Sequence, residues 1–210
     1  MGARSPMTRL GTIMTVLPCA LFGSDVAAAW LCARSPGLLS VSWLLFSLYL
    51  LPPLLLRLHE TYFPVLPGLY RLDEPIYCPW YGAHQIQLKF IAFPCLEAAL
   101  RLVPGLYSAW LRLWGAKIGK GVYWTPRIEI VDRNLLVVGD RTIFGHHAIS
   151  VSHVIKAARN GLVLYVTAPR IGAGVFIGAK TRIGPGAVIP DAASVPYDTE
   201  ISVNERFCVQ

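Results

Sequence analysis

The stretch RIGAGVFIGAKTRIGPGAVIPDAASVPYDTEI, residues 170–201, holds one phase from end to end. Every sixth position from Ile171 is aliphatic and β-branched: Ile171, Ile177, Ile183, Ile189, Val195 and Ile201. The next position reads Gly172, Gly178, Gly184, Pro190 and Pro196. Four residues after each aliphatic stand Val175, Thr181, Ala187, Ala193 and Thr199, all small or β-branched. A fixed period of this kind marks a repeat architecture and outranks local propensity.

A six-residue period has a geometric cause. Each hexad supplies one short strand and one corner of a triangular prism, three hexads close a coil, and the coils stack as parallel strands. The aliphatic residue points inward, the following glycine is expected at a corner that needs unusual dihedrals, and the small residue fits near the next corner. The phase runs back through Ile118-Gly119, Trp124 and Ile130, slips by two residues, and resumes at Val138-Gly139, Phe144-Gly145 and Ser150. It is lost between Ile155 and Arg170, so KAARNGLVLYVTAP, residues 156–169, is an excursion from the prism, with a hairpin expected about Asn160-Gly161. The fold class is mainly β: a left-handed parallel β-helix of hexapeptide repeats over residues 116–203, with about twelve hexads in roughly four coils, short enough that its flanks call for a partner.

Upstream the composition changes. The chain is 54% hydrophobic and 15% charged, with a mean hydropathy of +0.50, and Gly37–Leu56 carries no ionisable side chain. Two apolar stretches are candidate membrane helices of roughly 20 residues. The first, Leu10 to Cys32, contains Pro18 and Asp25, the latter costly in hydrocarbon. In the second, GLLSVSWLLFSLYLLPPLLL (Gly37–Leu56), Pro52 and Pro53 are expected to kink or end the helix. The first stretch also reads as a signal peptide, with Arg4 and Arg9 ahead of it and Val26-Ala27-Ala28-Ala29 as small residues for cleavage. Read uncleaved, Arg4 and Arg9 before the pair, Arg34 between, and Arg57, Arg71 and Lys89 after place both termini in the cytoplasm.

Residues 58–82, rich in Pro, Tyr and Trp, read as an irregular interfacial segment. Ile86–Trp114 is apolar with sparse charges at Lys89, Glu97, Arg101 and Arg112, and Pro94 and Pro104 divide it into short helices. These either lie in the headgroup plane or cap the prism. The division is 1–57, a two-helix membrane segment; 58–115, interfacial helices and linker; and 116–203, the β-helix domain.

The net charge of +7 favours anionic partners such as phosphate-bearing cofactors or lipid headgroups. The basic residues are scattered and no nucleic-acid module is present, so nucleic acid is not expected. The five cysteines are odd in number and form no C-x-x-C pair, and most lie in apolar surroundings. They read as buried free thiols of a reducing compartment, neither a disulfide frame nor a zinc site.

RIGAGVFIGAKTRIGPGAVIPDAA, Arg170–Ala193, follows the run I-G-x-x-V-x-I-G-x-x-x-x-I-x-P-G-V-x-I and so resembles the hexapeptide-repeat acyltransferases, the group of the maltose, galactoside, xenobiotic and serine acetyltransferases. In the sugar and xenobiotic O-acetyltransferases a catalytic His precedes an extended loop that leads back into this run. His153, in SVSHVI ahead of the excursion, takes that place, and the resemblance implies that it is the general base. It also implies that the later coils hold the donor, which maps Ala179, Lys180 and Arg182 to the coenzyme region. The donor is then acetyl-CoA, another acyl-CoA or acyl carrier protein, the assembly a homotrimer, and the place the bacterial inner membrane, with the catalytic domain facing the cytoplasm. The chain departs from the pattern by ending SVPYDTEISVNERFCVQ, without the G-N-P-A-like loop that contacts coenzyme, and by its membrane half.

Acyl transfer to a hydroxyl or amine of a lipid, glycan or other small acceptor needs a base that titrates near neutrality, commonly His, and a donor for the oxyanion. His147, one hexad before His153, stands at the equivalent corner of the adjacent face as a possible lining residue. His146 ranks behind both, and His59 and His84 read as interfacial. Glu129 and Asp132 could orient a base or bind an acceptor, and the sequence does not separate them. Lys180 and Arg182 serve equally well as solvated outward positions. Two other functions compete. A γ-class carbonic anhydrase needs three zinc-binding histidines, two on one coil and one on the coil before; the spacing here does not supply them, and no metal is expected. A non-enzymatic scaffold of a membrane complex predicts that His153→Ala leaves function intact.

Overall fold

The computed structural model describes residues 8–159 and 161–208. They divide into two compact units, one running to Val65 and including Pro75–Ala92, the other made of Leu66–Glu74 and the chain from Phe93 onward. Arg4, used in the orientation reading, lies outside the described residues.

The first unit is helical. Helix α1, Arg9–Arg34, starts at Thr8, whose side chain accepts the Gly11 N–H at 3.1 Å, and runs through Pro18 without ending. Helix α2, Leu38–Leu45, a π-helical turn, Phe46–Leu50, and helix α3, Leu51–Tyr62, continue as one helix of 25 residues. Of the kink or end expected at Pro52 and Pro53, the end does not occur. The prolines fall in the first turn of α3, and the π turn, closed by the Leu51 N–H on the Phe46 carbonyl, re-spaces the ladder where their N–H groups are missing. α1 and the α2–α3 helix are each long and apolar enough to cross a bilayer, and they leave Ile13, Trp30, Leu38 and Leu39 exposed.

Helix α4, Pro79–Ala92, brings in Lys89. Its Nζ donates to Asp25 Oδ2 at 2.8 Å and to the Ser47 carbonyl at 3.1 Å, while Ser47 Oγ donates to Asp25 Oδ1 at 2.6 Å. All three residues are buried. The residue that made the first stretch a poor span is therefore charge-balanced by its own unit. Lys89 is not the flanking charge that the orientation reading took it to be.

The second unit begins with strand β1, Gly68–Arg71, and continues with helices α5, Pro94–Arg101, and α6, Leu106–Trp114. The breaks fall at Pro94 and Pro104, as the sequence predicts. α6 turns Tyr107, Trp110, Leu111 and Trp114 inward and caps the first coil, where Trp124 Nε1 donates to Ser108 Oγ at 2.8 Å.

The hexads form two-residue strands. The first coil has β2 (Lys117–Ile118), β3 (Tyr123–Trp124) and β4 (Glu129–Ile130); the second has β5 (Val137–Val138), β6 (Ile143–Phe144) and β7 (Ile149–Ser150). After the excursion strands β8 (His153–Ala158) and β9 (Gly161–Val166), the third coil has β10 (Arg170–Ile171), β11 (Phe176–Ile177) and β12 (Arg182–Ile183). The fourth has β13 (Val188–Ile189), β14 (Ser194–Val195) and β15 (Glu200–Ile201). They make three four-stranded parallel sheets, β13-β10-β5-β2, β14-β11-β6-β3 and β15-β12-β7-β4, which is a three-sided parallel β-helix. The phased residues stack in register, as in Ile118, Val138, Ile171 and Ile189. Trp124 and Phe144 stack at 4.6 Å with planes 11° apart. Burial of each such side chain contributes roughly 1.5–3 kcal/mol.

The glycines after the aliphatics act for a different reason from the one expected. Gly178 is not in a left-handed conformation; a Cβ there would lie 2.5 Å from the Pro196 backbone, so the residue is kept bare by the next coil. The left-handed corner falls two positions later and is taken by Lys180 (φ 61°), Ala192 (φ 55°) and His147 (φ 59°), among others.

β8 and β9 pair antiparallel with Ala158 opposite Gly161, the expected hairpin; Asn160 itself lies outside the described residues. β1 adds a third strand beside β9, where the sequence suggested only irregular chain. His153 does not precede the excursion. It opens β8, opposite Val166. The cysteines are free, but none is buried: Cys19, Cys95 and Cys208 are exposed and Cys32 and Cys78 partly so. Cys19 and Cys32 lie on α1, whose apolar face is largely outward, so apolar neighbours there do not mean burial.

Candidate active site

Both irregularities of the repeat leave the prism at one corner. The two-residue slip forms the turn 131–136, after β4, and the hairpin leaves after β7, its neighbour in the same sheet. Ile130 and Ser150 are register partners, so Asp132 sits beside Ser152 on the adjacent coil. Asp132 Oδ2 accepts the Ser152 N–H at 2.8 Å and lies 2.8 Å from His153 Nδ1. Ser152 Oγ donates to the Leu135 carbonyl at 2.5 Å and ties the two turns together. The Asp132 side chain is 1% exposed and that of His153 16%.

An ionised carboxylate can only accept, so Nδ1 is the donor. This selects the tautomer with Nε2 as the basic nitrogen and places a buried negative charge against the imidazolium that forms on proton uptake. A histidine and a buried carboxylate that fixes its ring are thereby brought together from the two segments that break the hexad rule.

Behind the turn, Glu97 of α5 is buried among Arg133, Arg101 and Tyr107. Its Oε1 accepts from Arg133 Nε at 2.5 Å, and its Oε2 accepts from the Arg101 guanidinium and the Tyr107 hydroxyl, each at 2.6 Å. Arg133 also donates to the Val131 carbonyl at 3.2 Å, fixing the backbone on both sides of Asp132. Burial, and then the Glu97 charge, push the Tyr107 hydroxyl pKa upward, so it remains a donor. Neither Asp132 nor this network was separable in the sequence. The signal that could have found it is the run Asp132-Arg133-Asn134 placed inside the slip.

The remaining candidates lie elsewhere. His147, exposed and edge-on to His146 at 4.3 Å between ring centroids, stands at the corner after the second face. Some loss of hydration, then the nearby His146, Arg127 and Lys180, hold its pKa below the ordinary 6.5. Lys180 shares that corner one coil on, its N–H on the His146 carbonyl at 2.8 Å, with Nζ 5.4 Å from the centre of the Tyr197 ring. Arg182 faces Glu200 at 3.3 Å and Asp198 at 3.9 Å, and the Ala179 backbone packs against Gly145. Ala179, Lys180 and Arg182 are thus together in the third coil, at a different corner from His153 within one chain. Glu129 points outward from β4 and is exposed. His59 Nε2 is 2.7 Å from the Tyr77 hydroxyl and His84 stacks on Trp80, both in the helical unit. Among the described residues no three His, Cys, Asp or Glu side chains are grouped so as to hold a metal ion.

No protein-family model and no curated protein matches the chain. Among solved structures, a galactoside acetyltransferase in complex with coenzyme A aligns over 56% of this chain and 74% of its own, at 15% identity and a TM-score of 0.40. A hexapeptide-repeat acetyltransferase from Vibrio cholerae covers 54% of this chain and 87% of its own, at 15% identity and a TM-score of 0.31. A serine acetyltransferase isoform of Entamoeba histolytica in complex with cysteine covers 93% and 59%, at 12% identity and a TM-score of 0.24. These matches are acetyltransferases of the group that the hexad run resembles.

Proposed function

We propose that this protein is a membrane-associated acyltransferase in which His153 is the general base and Asp132 its orienting carboxylate. The observation that carries the reading is the 2.8 Å contact between His153 Nδ1 and the buried Asp132 carboxylate at the corner where slip and excursion meet. His153 Nε2 takes the proton of an acceptor hydroxyl, or of an amine, as the acceptor oxygen or nitrogen attacks the thioester carbonyl. The tetrahedral intermediate collapses by breaking the C–S bond, and the imidazolium returns the proton to the leaving thiolate. Asp132 stabilises the imidazolium in between.

The finer parts of the reading follow from the sequence resemblance. The prism is left-handed, three copies pack as a homotrimer with the site between neighbours, and the donor is an acyl-CoA or acyl carrier protein whose pantetheine runs past Ala179, Lys180 and Arg182. Residues 1–57 anchor the chain in the inner membrane with the site facing the cytoplasm, 58–115 link and dock, and 116–203 carry the chemistry. The acceptor class is a lipid, a lipid-linked glycan or another amphiphile, and O-acyl transfer is the preferred form.

The test is mass spectrometry of lipid and glycan extracts from cells carrying the wild-type gene, no gene, or His153→Ala. The reading expects a species heavier by one acyl group in the wild type alone. A species that depends on the gene but persists in His153→Ala would favour the scaffold instead.

A further inference from the structure

Between the α5–α6 turn and the first coil lies a cavity of about 490 Å³, lined within the second unit alone. Arg101, Arg112 and Lys120 line it, with the backbone of Gly105 and Gly121 and the ring of Tyr123, and no acidic side chain is part of the lining. The cations are held in place. Arg112 donates to the carbonyls of Ile118 and Gly119 at 2.9 and 2.7 Å, and those neutral partners fix its guanidinium without cancelling its charge. The Lys120 N–H is on Asp140 Oδ1 at 2.7 Å, which sets the backbone from which its side chain extends. Arg101 is charge-balanced by the buried Glu97 carboxylate at 2.6 Å and donates to the Pro126 carbonyl at 2.8 Å, so the positive character of the cavity rests on Arg112 and Lys120. At Gly105, α6 begins with no side chain capping it, so the positive end of a nine-residue helix adds to the field on the same side.

The rim is of the opposite character. Val103 lines the mouth at 53% exposure, and on the same turn Leu102 is 76% and Leu106 42% exposed. An apolar turn in water beside a basic cavity is the composition of a lipid-headgroup interface. We propose that this cavity binds the phosphate-ester headgroup of an anionic membrane amphiphile, with its hydrocarbon lying along Leu102, Val103 and Leu106. The shared chemistry is a phosphate anion, and the apolar turn selects a lipid over free phosphate. The site is separate from the Asp132–His153 corner and does not depend on acyl transfer.

The test is titration calorimetry on the full-length protein in neutral detergent, with dihexanoyl phosphatidylglycerol, dihexanoyl phosphatidylcholine, inorganic phosphate and coenzyme A as four ligands. The expected result is binding of the glycerol lipid with the choline lipid at least tenfold weaker. Lys120→Gln, which removes a charge and leaves the N–H contact with Asp140, should weaken the glycerol lipid about fivefold. The Leu102→Ser/Val103→Ser double variant should weaken it further and leave inorganic phosphate unchanged. Arg112→Gln, checked for unaltered circular dichroism, is the second charge test. Inorganic phosphate binding as tightly as the lipid would overturn the assignment, as would equal binding of the choline lipid. Displacement of the lipid by coenzyme A would return the cavity to the donor site, and charge variants without effect would place the lipid elsewhere.

Discussion

Asp132 and His153 are 21 residues apart in the chain, yet Oδ2 of one is 2.8 Å from Nδ1 of the other because their coils are adjacent and their hexads are in register. The prism stacks Ile130 on Ser150, the two-residue slip carries Asp132 out of the next corner, and the hairpin carries His153 out of the same corner one coil later. The pairing is therefore a property of the repeat and of where it is interrupted.

Asp132→Asn tests the orienting role. The amide oxygen can still accept the Ser152 N–H, so the turn should survive, but an uncharged group neither enforces the Nδ1–H tautomer nor stabilises the imidazolium. Acyl transfer should fall by about 10²–10⁴-fold, the range of a positioned acid–base group, while donor affinity measured by calorimetry stays the same. An unchanged rate would make Asp132 a purely structural acceptor.

Glu97→Ala tests the buried network behind that turn. It leaves the Arg133 and Arg101 guanidinium groups and the Tyr107 hydroxyl without their shared acceptor in a dry setting. Breaking a buried ion pair of this kind costs about 3–5 kcal/mol, whereas Tyr107→Phe, which removes a hydroxyl that donates to Glu97 and accepts from Arg101, should cost about 1.5–3 kcal/mol. Thermal unfolding followed by near-ultraviolet circular dichroism, sensitive to the Trp124–Phe144 stack, reads both. Equal losses for the two variants would contradict the network as described.

The two glycine-type positions of the hexad make opposite predictions. Gly178→Ala puts a methyl 2.5 Å from the Pro196 backbone and should destabilise by about 1–3 kcal/mol. Ala192→Gly relieves a residue at φ 55°, worth roughly 1–2 kcal/mol against the glycine entropy cost, and should stabilise by about 0.5–1 kcal/mol. Denaturant melts of the two variants separate steric closeness from dihedral need.

The prism was legible because its cause is periodic. Residues such as Ile171, Ile177 and Ile183 face inward at every sixth position, and the same phase located both interruptions. The hairpin was legible from Asn160-Gly161, and the helix breaks from Pro94 and Pro104. The partners of buried charges were not. Lys89 finds Asp25 across 64 residues, and Glu97 finds Arg133 across 36, distances at which single-sequence patterns say nothing. Pro52 and Pro53 do not end the helix because a π turn re-spaces the backbone bonds, and that turn has no side-chain signature. The role of Gly178 was misread because the sequence shows that glycine is required but not whether sterics or dihedrals require it. Asp132 stood in view beside Glu129, and only the coil register separates a carboxylate turned into the corner from one turned out to solvent.

Release of free thiol from the acyl donor tests His153 as the base in acyl transfer. Purified full-length protein in neutral detergent is mixed with acetyl-CoA or a longer acyl-CoA and a membrane-lipid extract as acceptor, and free coenzyme A is followed with a thiol reagent. Wild type should show acceptor-dependent release and His153→Ala a rate lower by about 10²–10⁴-fold, with unchanged donor affinity by calorimetry and unchanged circular dichroism. Equal release by well-folded His153→Ala protein would contradict that role.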